Sequence, residues 1–185
     1  MDKKKYDIIL ADPPWDFRVW NKDTGNGRSP SAHYLTMPIE KICAFPVRDI
    51  SKKNCALFIW TVWPRLFETE QVIKAWGFKY KTLAWVWVKM TKDSSRPATG
   101  MGYYTRANTE PCLLAVRGNM PVQAHDVLSL IMSPRGRHSA KPIEQYAKIE
   151  RLYPNMDRLE MFARHSQPGW DVFGNQVENS ITLER

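Results

Sequence analysis

A chain of 185 residues with 43% hydrophobic content can build one sizeable core, which excludes a disordered tail and a disulfide-stapled miniprotein. Lysine plus arginine number 27 against 19 acids, a formal net charge of +8 that favours a polyanionic partner. Three cysteines without CxxC or Cys/His spacing, four scattered histidines and no signal-like or membrane-length apolar run lead us to expect a reduced, cytoplasmic protein with no metal site and no membrane association. Tyr6–Ala11 is the first predicted strand, with Ile8, Ile9 and Leu10 as its buried run. It ends at Asp12, Pro13, Pro14 and Trp15, where two prolines forbid continuation as a helix or an inner ladder position. The product is a stiff turn presenting a carboxylate, carbonyl oxygens and an indole at a strand's C-terminal end, where open α/β sheets bind ligands. Taken alone, the same four residues also read as a plain proline-rich strand exit with an Asx-type turn.

Residues 16–37 are rich in Gly, Asn, Ser and basic side chains with isolated aromatics, and read as a long loop. A strand over Cys55–Trp60 and a helix over Pro64–Trp76, closed by Gly77, come next. Thr82–Val88 is a strand followed by a second long loop, residues 90–108. Further strands are predicted over Pro111–Arg117 and Val127–Met132, a helix over Pro142–Leu152, and strands over Arg158–Ala163 and Trp170–Phe173. This alternation is the signature of a single α/β domain, residues 1–185, built on a largely parallel sheet. Both long loops follow C-terminal ends of predicted strands, so both are expected to overhang one sheet edge. Their basic residues Arg18, Lys22, Arg28, Arg96 and Arg106 are placed to meet phosphates, and Trp20, Tyr34, Tyr103 and Tyr104 to stack on or wedge bases. The alternative is two unrelated surface loops whose aromatics pack them down.

No GxGxxG, no GxxxxGK[ST] and no GxSxG occurs, so a dinucleotide fingerprint, a P-loop and a nucleophile elbow are set aside. What remains is the DPPW turn and a dense block over residues 135–176. With "ADPPW" (11–15), "LFIW" (57–60), "WVWVK" (85–89), "EPCLLAVRGN" (110–119), "HSAKPIE" (138–144), "IERLYP" (149–154), "LEMFAR" (159–164) and "GWDVFGNQ" (169–176), the sequence resembles the MT-A70 family of S-adenosylmethionine-dependent adenine-N6 methyltransferases. DPPW alone is moderately specific. DPPW followed in order by the other pieces is highly specific.

The chemistry of the residues agrees. An exocyclic adenine amine is a poor nucleophile because its lone pair is delocalised into the ring. Asp12 and the carbonyl of Pro13 can each accept one amine hydrogen, favouring a pyramidal nitrogen with its lone pair aimed at a methyl donor. The rigid prolines hold the acceptors, and Trp15 is expected to offer a flat face to a base taken out of its stack. The resemblance implies cofactor contacts at Asp12, Ser139, Lys141, Glu160, Arg164, His165, Ser166, Asn175 and Gln176. It also implies a circularly permuted, Rossmann-like methyltransferase sheet, because DPPW precedes the cofactor strand LEMFAR. Longer members carry an upstream segment that helps clasp the cofactor's adenine, whereas eleven residues precede Asp12 here; a segment near Val127–Met132 is one substitute, and looser cofactor binding is the other outcome. The expected substrate is DNA, with RNA as the runner-up and a non-catalytic nucleic-acid-binding partner as a third reading that the intact DPPW disfavours. A symmetric homodimer is the expected cover for the Trp-rich "LAWVWVKM", which reads as apolar on both faces.

Overall fold

The computed structural model describes residues 4–16, 36–100, 102, 104–136 and 140–183. Among these residues seven strands form one sheet: β1 (Tyr6–Ala11), β2 (Ser51–Trp60), β3 (Lys79–Met90), β4 (Thr109–Arg117), β5 (Leu130–Pro134), β6 (Arg158–Met161) and β7 (Asp171–Phe173). Their spatial order is β5-β3-β4-β2-β1-β6-β7. Four of the neighbouring pairs are parallel, while β4 runs antiparallel to both β2 and β3. All seven predicted strands are present, and the sheet is largely parallel with one reversed member. That reversal places the start of β4 at the same edge as the C-terminal ends of the other strands, called the upper edge here.

Among the described residues the helices are α1 (Ile39–Cys43), α2 (Val47–Ile50), α3 (Leu66–Ala75) and α4 (Glu144–Leu152). α3 is entered through a 3-10 turn, Trp63–Arg65, with Pro64 in its opening positions where a missing N–H is tolerated. The short α1 and α2 have too few residues to show a helical period in the sequence.

Strand alternation divides the core into two layers. On one face, Ile9, Leu57, Ile59, Leu113 and Ala115 pack with Ile42, Val47, Ile50, Val72, Ile73 and Trp76 from α1, α2, α3 and the end of α3. On the other, Ile8, Leu10, Phe58, Trp60, Trp85 and Trp87 pack with Tyr146 and Ile149 of α4 and with Tyr153 and Trp170. β1 and the second half of β2 are buried on both faces, which is why they read as continuous apolar runs. Trp85 and Trp87 are covered by this second layer, so the two indoles that motivated a homodimer are internal to the chain.

β6 lies beside β1 although it follows 147 residues later, with Ala11 paired to Met161. This neighbourhood brings LEMFAR to DPPW, as a permuted order requires. Val127–Met132, one candidate substitute for the upstream clasp, lies away from the cofactor contacts that the resemblance implies after β6 and β7. That segment enters β5, which pairs with β3 at the far margin of the sheet from β6 and β7.

Candidate active site

Asp12 leaves the end of β1 with its N–H directed to the Met161 carbonyl of β6 at 3.4 Å. Within the next three residues the Trp15 N–H donates to the Pro13 carbonyl at 2.8 Å, a tight turn about Pro14. The Trp15 indole N–H donates to the Trp60 carbonyl at 2.9 Å, and the Met37 N–H donates to the Pro14 carbonyl at 2.8 Å. The DPPW turn is thus fastened to β2 on one side and to residue 37 on the other. Trp15 is only 4% exposed and packs in the first core layer. Expected to offer an open face to a base, the indole in this structure anchors the turn and packs in the core.

Around Asp12 the upper edge carries an alternating array of charges. Lys141, just before α4, places Nζ 2.7 Å from Asp12 Oδ2 and 3.5 Å from Glu110 Oε2. Glu110, at the start of the reversed β4, also pairs with Lys89 near the end of β3. The Lys141 ammonium lies over the Trp60 ring at 5.7 Å, and Trp60 Nε1 donates to Gln145 Oε1 at 2.7 Å. Burial is the largest influence on Asp12 and raises its pKa; Lys141 and Arg164 oppose that, and Glu110 adds to it. For Glu110 burial again opposes the charge, but Lys141 and Lys89 together hold its carboxyl below the usual range. In this half-buried cluster of two acids and two lysines, each charge faces an opposite one, which offsets the cost of removing it from water.

A second polar group sits on β6. Glu160 is 8% exposed and accepts a hydrogen bond from the Tyr146 hydroxyl at 2.9 Å. The same hydroxyl lies 3.4 Å from His165 Nε2. Burial, reinforced by Asp12 and opposed by the Tyr146 hydrogen bond and Lys141, pushes the Glu160 carboxyl up to about 7. The Tyr146 hydroxyl is raised as well, by burial first and by Glu160 next. An acid inside an apolar strand needs such a partner, and the sequence could not show that it would come from α4.

The backbone after β6 is under constraint. Phe162 has φ of 63°, a left-handed conformation that is unfavourable for a bulky residue. Its ring packs edge-on against Phe45 at 5.2 Å. A Cβ on Gly174 would come within 2.0 Å of the Ala163 carbonyl, so only glycine lets the ends of β6 and β7 approach this closely. Arg164, His165 and Ser166 follow β6, and Asn175 and Gln176 follow β7, so five of the expected cofactor contacts lie at adjacent strand ends. Ser139, Arg18, Trp20, Lys22, Arg28, Tyr34 and Tyr103 lie outside the described residues. Arg96, Tyr104 and Arg106 belong to the β3–β4 connection and are exposed. That connection starts as a turn folded back on β3, with the Ala98 N–H donating to the Lys89 carbonyl at 2.7 Å.

Glu110, Lys89 and Tyr146 join the predicted residues at this edge, and local sequence pattern does not single them out. Glu110 stands directly before an apolar strand, a visible signal, but its relevance depends on β4 running backwards. Among the described residues no group of three or more His, Cys, Asp or Glu side chains could hold a metal ion, and no helix is long and apolar enough to cross a membrane.

A mixed sheet with a proline-stiffened acid at the end of β1 and polar groups at the adjoining ends of β6 and β7 defines a Rossmann-like methyltransferase. The MT-A70 family profile matches residues 6–176, and the chain belongs to that family. Membership makes it a methyltransferase of the adenine-N6 type. The chain is 32% identical over 200 residues to the type II methyltransferase M.MunI of Mycoplasma sp, an alignment covering 99% of this chain and 83% of the relative. It is 27% identical to an N(6)-adenosine-methyltransferase MT-A70-like protein of Arabidopsis thaliana over 96% of this chain and 24% of that protein. It is 28% identical to the N(6)-adenosine-methyltransferase catalytic subunit METTL3 of Homo sapiens over 97% of this chain and 30% of that protein.

Proposed function

We propose that this chain transfers a methyl group from S-adenosylmethionine to the N6 amine of adenine in DNA. The observation that supports it most is the Asp12 carboxylate, held at the upper edge between Lys141, Pro13 and β6. The near end-to-end match to a type II methyltransferase favours the DNA reading over RNA, since the N(6)-adenosine-methyltransferases align over less than a third of their length.

The donor set suits this cofactor. Lys141 and Arg164 are cations that can meet its carboxylate, Asp12 can accept from its amino group, and Glu160 can accept from its ribose hydroxyls. His165, Ser166, Asn175 and Gln176 supply donors and acceptors beside them. When bound, the cofactor supplies an electrophilic methyl on a sulfonium, and the electron pair of the broken S–C bond stays on sulfur.

The protein's own part is positioning and proton handling. Asp12 and the free lone pair of the Pro13 carbonyl accept the two amine hydrogens, which directs the nitrogen lone pair toward the methyl. With the cofactor in place Lys141 would pair with its carboxylate as well as with Glu110, which would let Asp12 oxygens accept from amines. As the N–C bond forms, the nitrogen becomes cationic and must shed a proton. Asp12, made more basic by burial, is the adjacent acceptor.

The test incubates the protein with methyl-labelled S-adenosylmethionine and unmethylated DNA or RNA, then identifies nucleosides by mass spectrometry. N6-methyladenine from DNA is the expected product. Label confined to RNA, or found as N4-methylcytosine, would overturn the DNA or the adenine assignment respectively.

A further inference from the structure

With the Trp15 ring sealed in the core, the upper edge still needs a surface for the bases beside a displaced adenine. Trp63 is 45% exposed on the turn between β2 and α3, three residues beyond the Trp60 whose carbonyl receives the Trp15 indole. Two hydrogen bonds fasten this turn to the site. Trp63 Nε1 donates to Thr109 Oγ1 at 2.9 Å, next to Glu110, and Arg65 Nε donates to the Asp16 carbonyl at 2.6 Å, directly after DPPW. Arg65 is further steadied by Glu68 at 2.9 Å. Phe67, four residues on, is 86% exposed.

An indole whose single donor is satisfied within the protein offers a ligand its ring faces rather than its N–H. Scattered exposed aromatics need no explanation. Two lie within five residues, one of them bonded to the start of β4 on a turn that Arg65 ties to Asp16, and they offer an apolar surface at the edge where the amine chemistry is placed. Removing an adenine from its stack leaves the neighbouring base without a partner on one side, and an aromatic ring replaces that partner irrespective of sequence.

We propose that Trp63, supplemented by Phe67, is the stacking platform for a base flanking the methylated adenine. The proposal rests on the reading of the chain as a nucleic-acid methyltransferase, and it assigns a substrate contact to a turn outside both long loops.

The test measures methyl-transfer kinetics on oligonucleotides with one target adenine, either intact or with an abasic position on one side of it. Trp63→Ala is expected to raise KM for the intact oligonucleotide by about 5- to 100-fold, the range of a lost base–aromatic stack. Its kcat and its affinity for S-adenosylmethionine should stay at wild-type values. Trp63→Phe should restore most of the loss, and Phe67→Ala should show a smaller increase in KM. The abasic oligonucleotide should penalise the wild type by a similar factor and Trp63→Ala hardly at all, because the two changes remove the same contact. Equal penalties in both proteins, or an unchanged KM for Trp63→Ala, would overturn the platform. A change of mass by light scattering in Trp63→Ala with KM unmoved would assign the surface to a protein partner instead. Absence of transfer by the wild type to every oligonucleotide would remove the underlying reading; transfer by the wild type with the abasic penalty shared equally would remove the platform alone.

Discussion

Replacing Glu160 by Gln should make the free protein more stable at alkaline pH while weakening its hold on the cofactor. The Glu160 carboxyl is pushed from its ordinary 4.5 up to about 7, with burial the leading cause. Between those values the folded chain binds a proton that the unfolded chain has released. Stability therefore falls as pH rises from about 4.5 to about 7 and stays level above that. The difference, 7 − 4.5 = 2.5 in pKa, corresponds to about 3 kcal/mol at most. Gln keeps an oxygen for the Tyr146 hydroxyl, now at 2.9 Å from the carboxylate, and carries no charge to desolvate. Near pH 4.5 the two proteins should melt together; at pH 8 the variant should melt higher, by roughly 2–4 °C for each kcal/mol recovered. Ribose hydroxyls would donate to the ionised carboxylate, so wild-type affinity for S-adenosylmethionine should tighten as pH rises to about 7. The variant should bind more weakly by roughly 1.5–3 kcal/mol at pH 8, the range of a charge-assisted hydrogen bond. Thermal melts from pH 4.5 to 8.5 and titration calorimetry measure both effects. Parallel melting curves for the two proteins would refute the assignment of a neutral, buried Glu160.

Lys141→Ala should weaken S-adenosylmethionine binding by roughly 1.5–3 kcal/mol in calorimetry, and its unpartnered Asp12 should shift further toward the protonated form. Asp12→Ala should abolish transfer with the fold intact by circular dichroism, whereas Asp12→Asn, which keeps an acceptor oxygen, should retain a residue of activity after a loss of about 10²–10³ in kcat; full activity in Asp12→Ala would reduce DPPW to a turn. Gly174→Ala forces apart the ends of β6 and β7, and the expected result is a lower melting temperature together with weaker cofactor binding. Trp15→Ala should destabilise the fold by about 3–5 kcal/mol, the cost of emptying an aromatic site in a core, and urea titration against the wild type distinguishes this from a binding defect.

Strand β1 was legible from residues 6–11 alone, because a strand buried on both faces must be a continuous apolar run and two prolines must end it. The ordered pieces DPPW, LEMFAR and GWDVFGNQ named the family, and Asp12, Lys141, Glu160, Arg164 and His165 with it. Tertiary structure decided what each residue faces. Sequence cannot show that β4 runs backwards, and that reversal alone carries Glu110 to Lys141 and Asp12. It cannot show that Trp15 points into the core while Trp63 points out, since both follow strands and both are tryptophan. Nor can it place Tyr146 against Glu160, a contact between a helix and a strand packed face to face. Local pattern specifies which segments are strands and helices because it reflects the period of the backbone; long-range packing sets the direction of a side chain and its charge environment, and those belong to the assembled sheet.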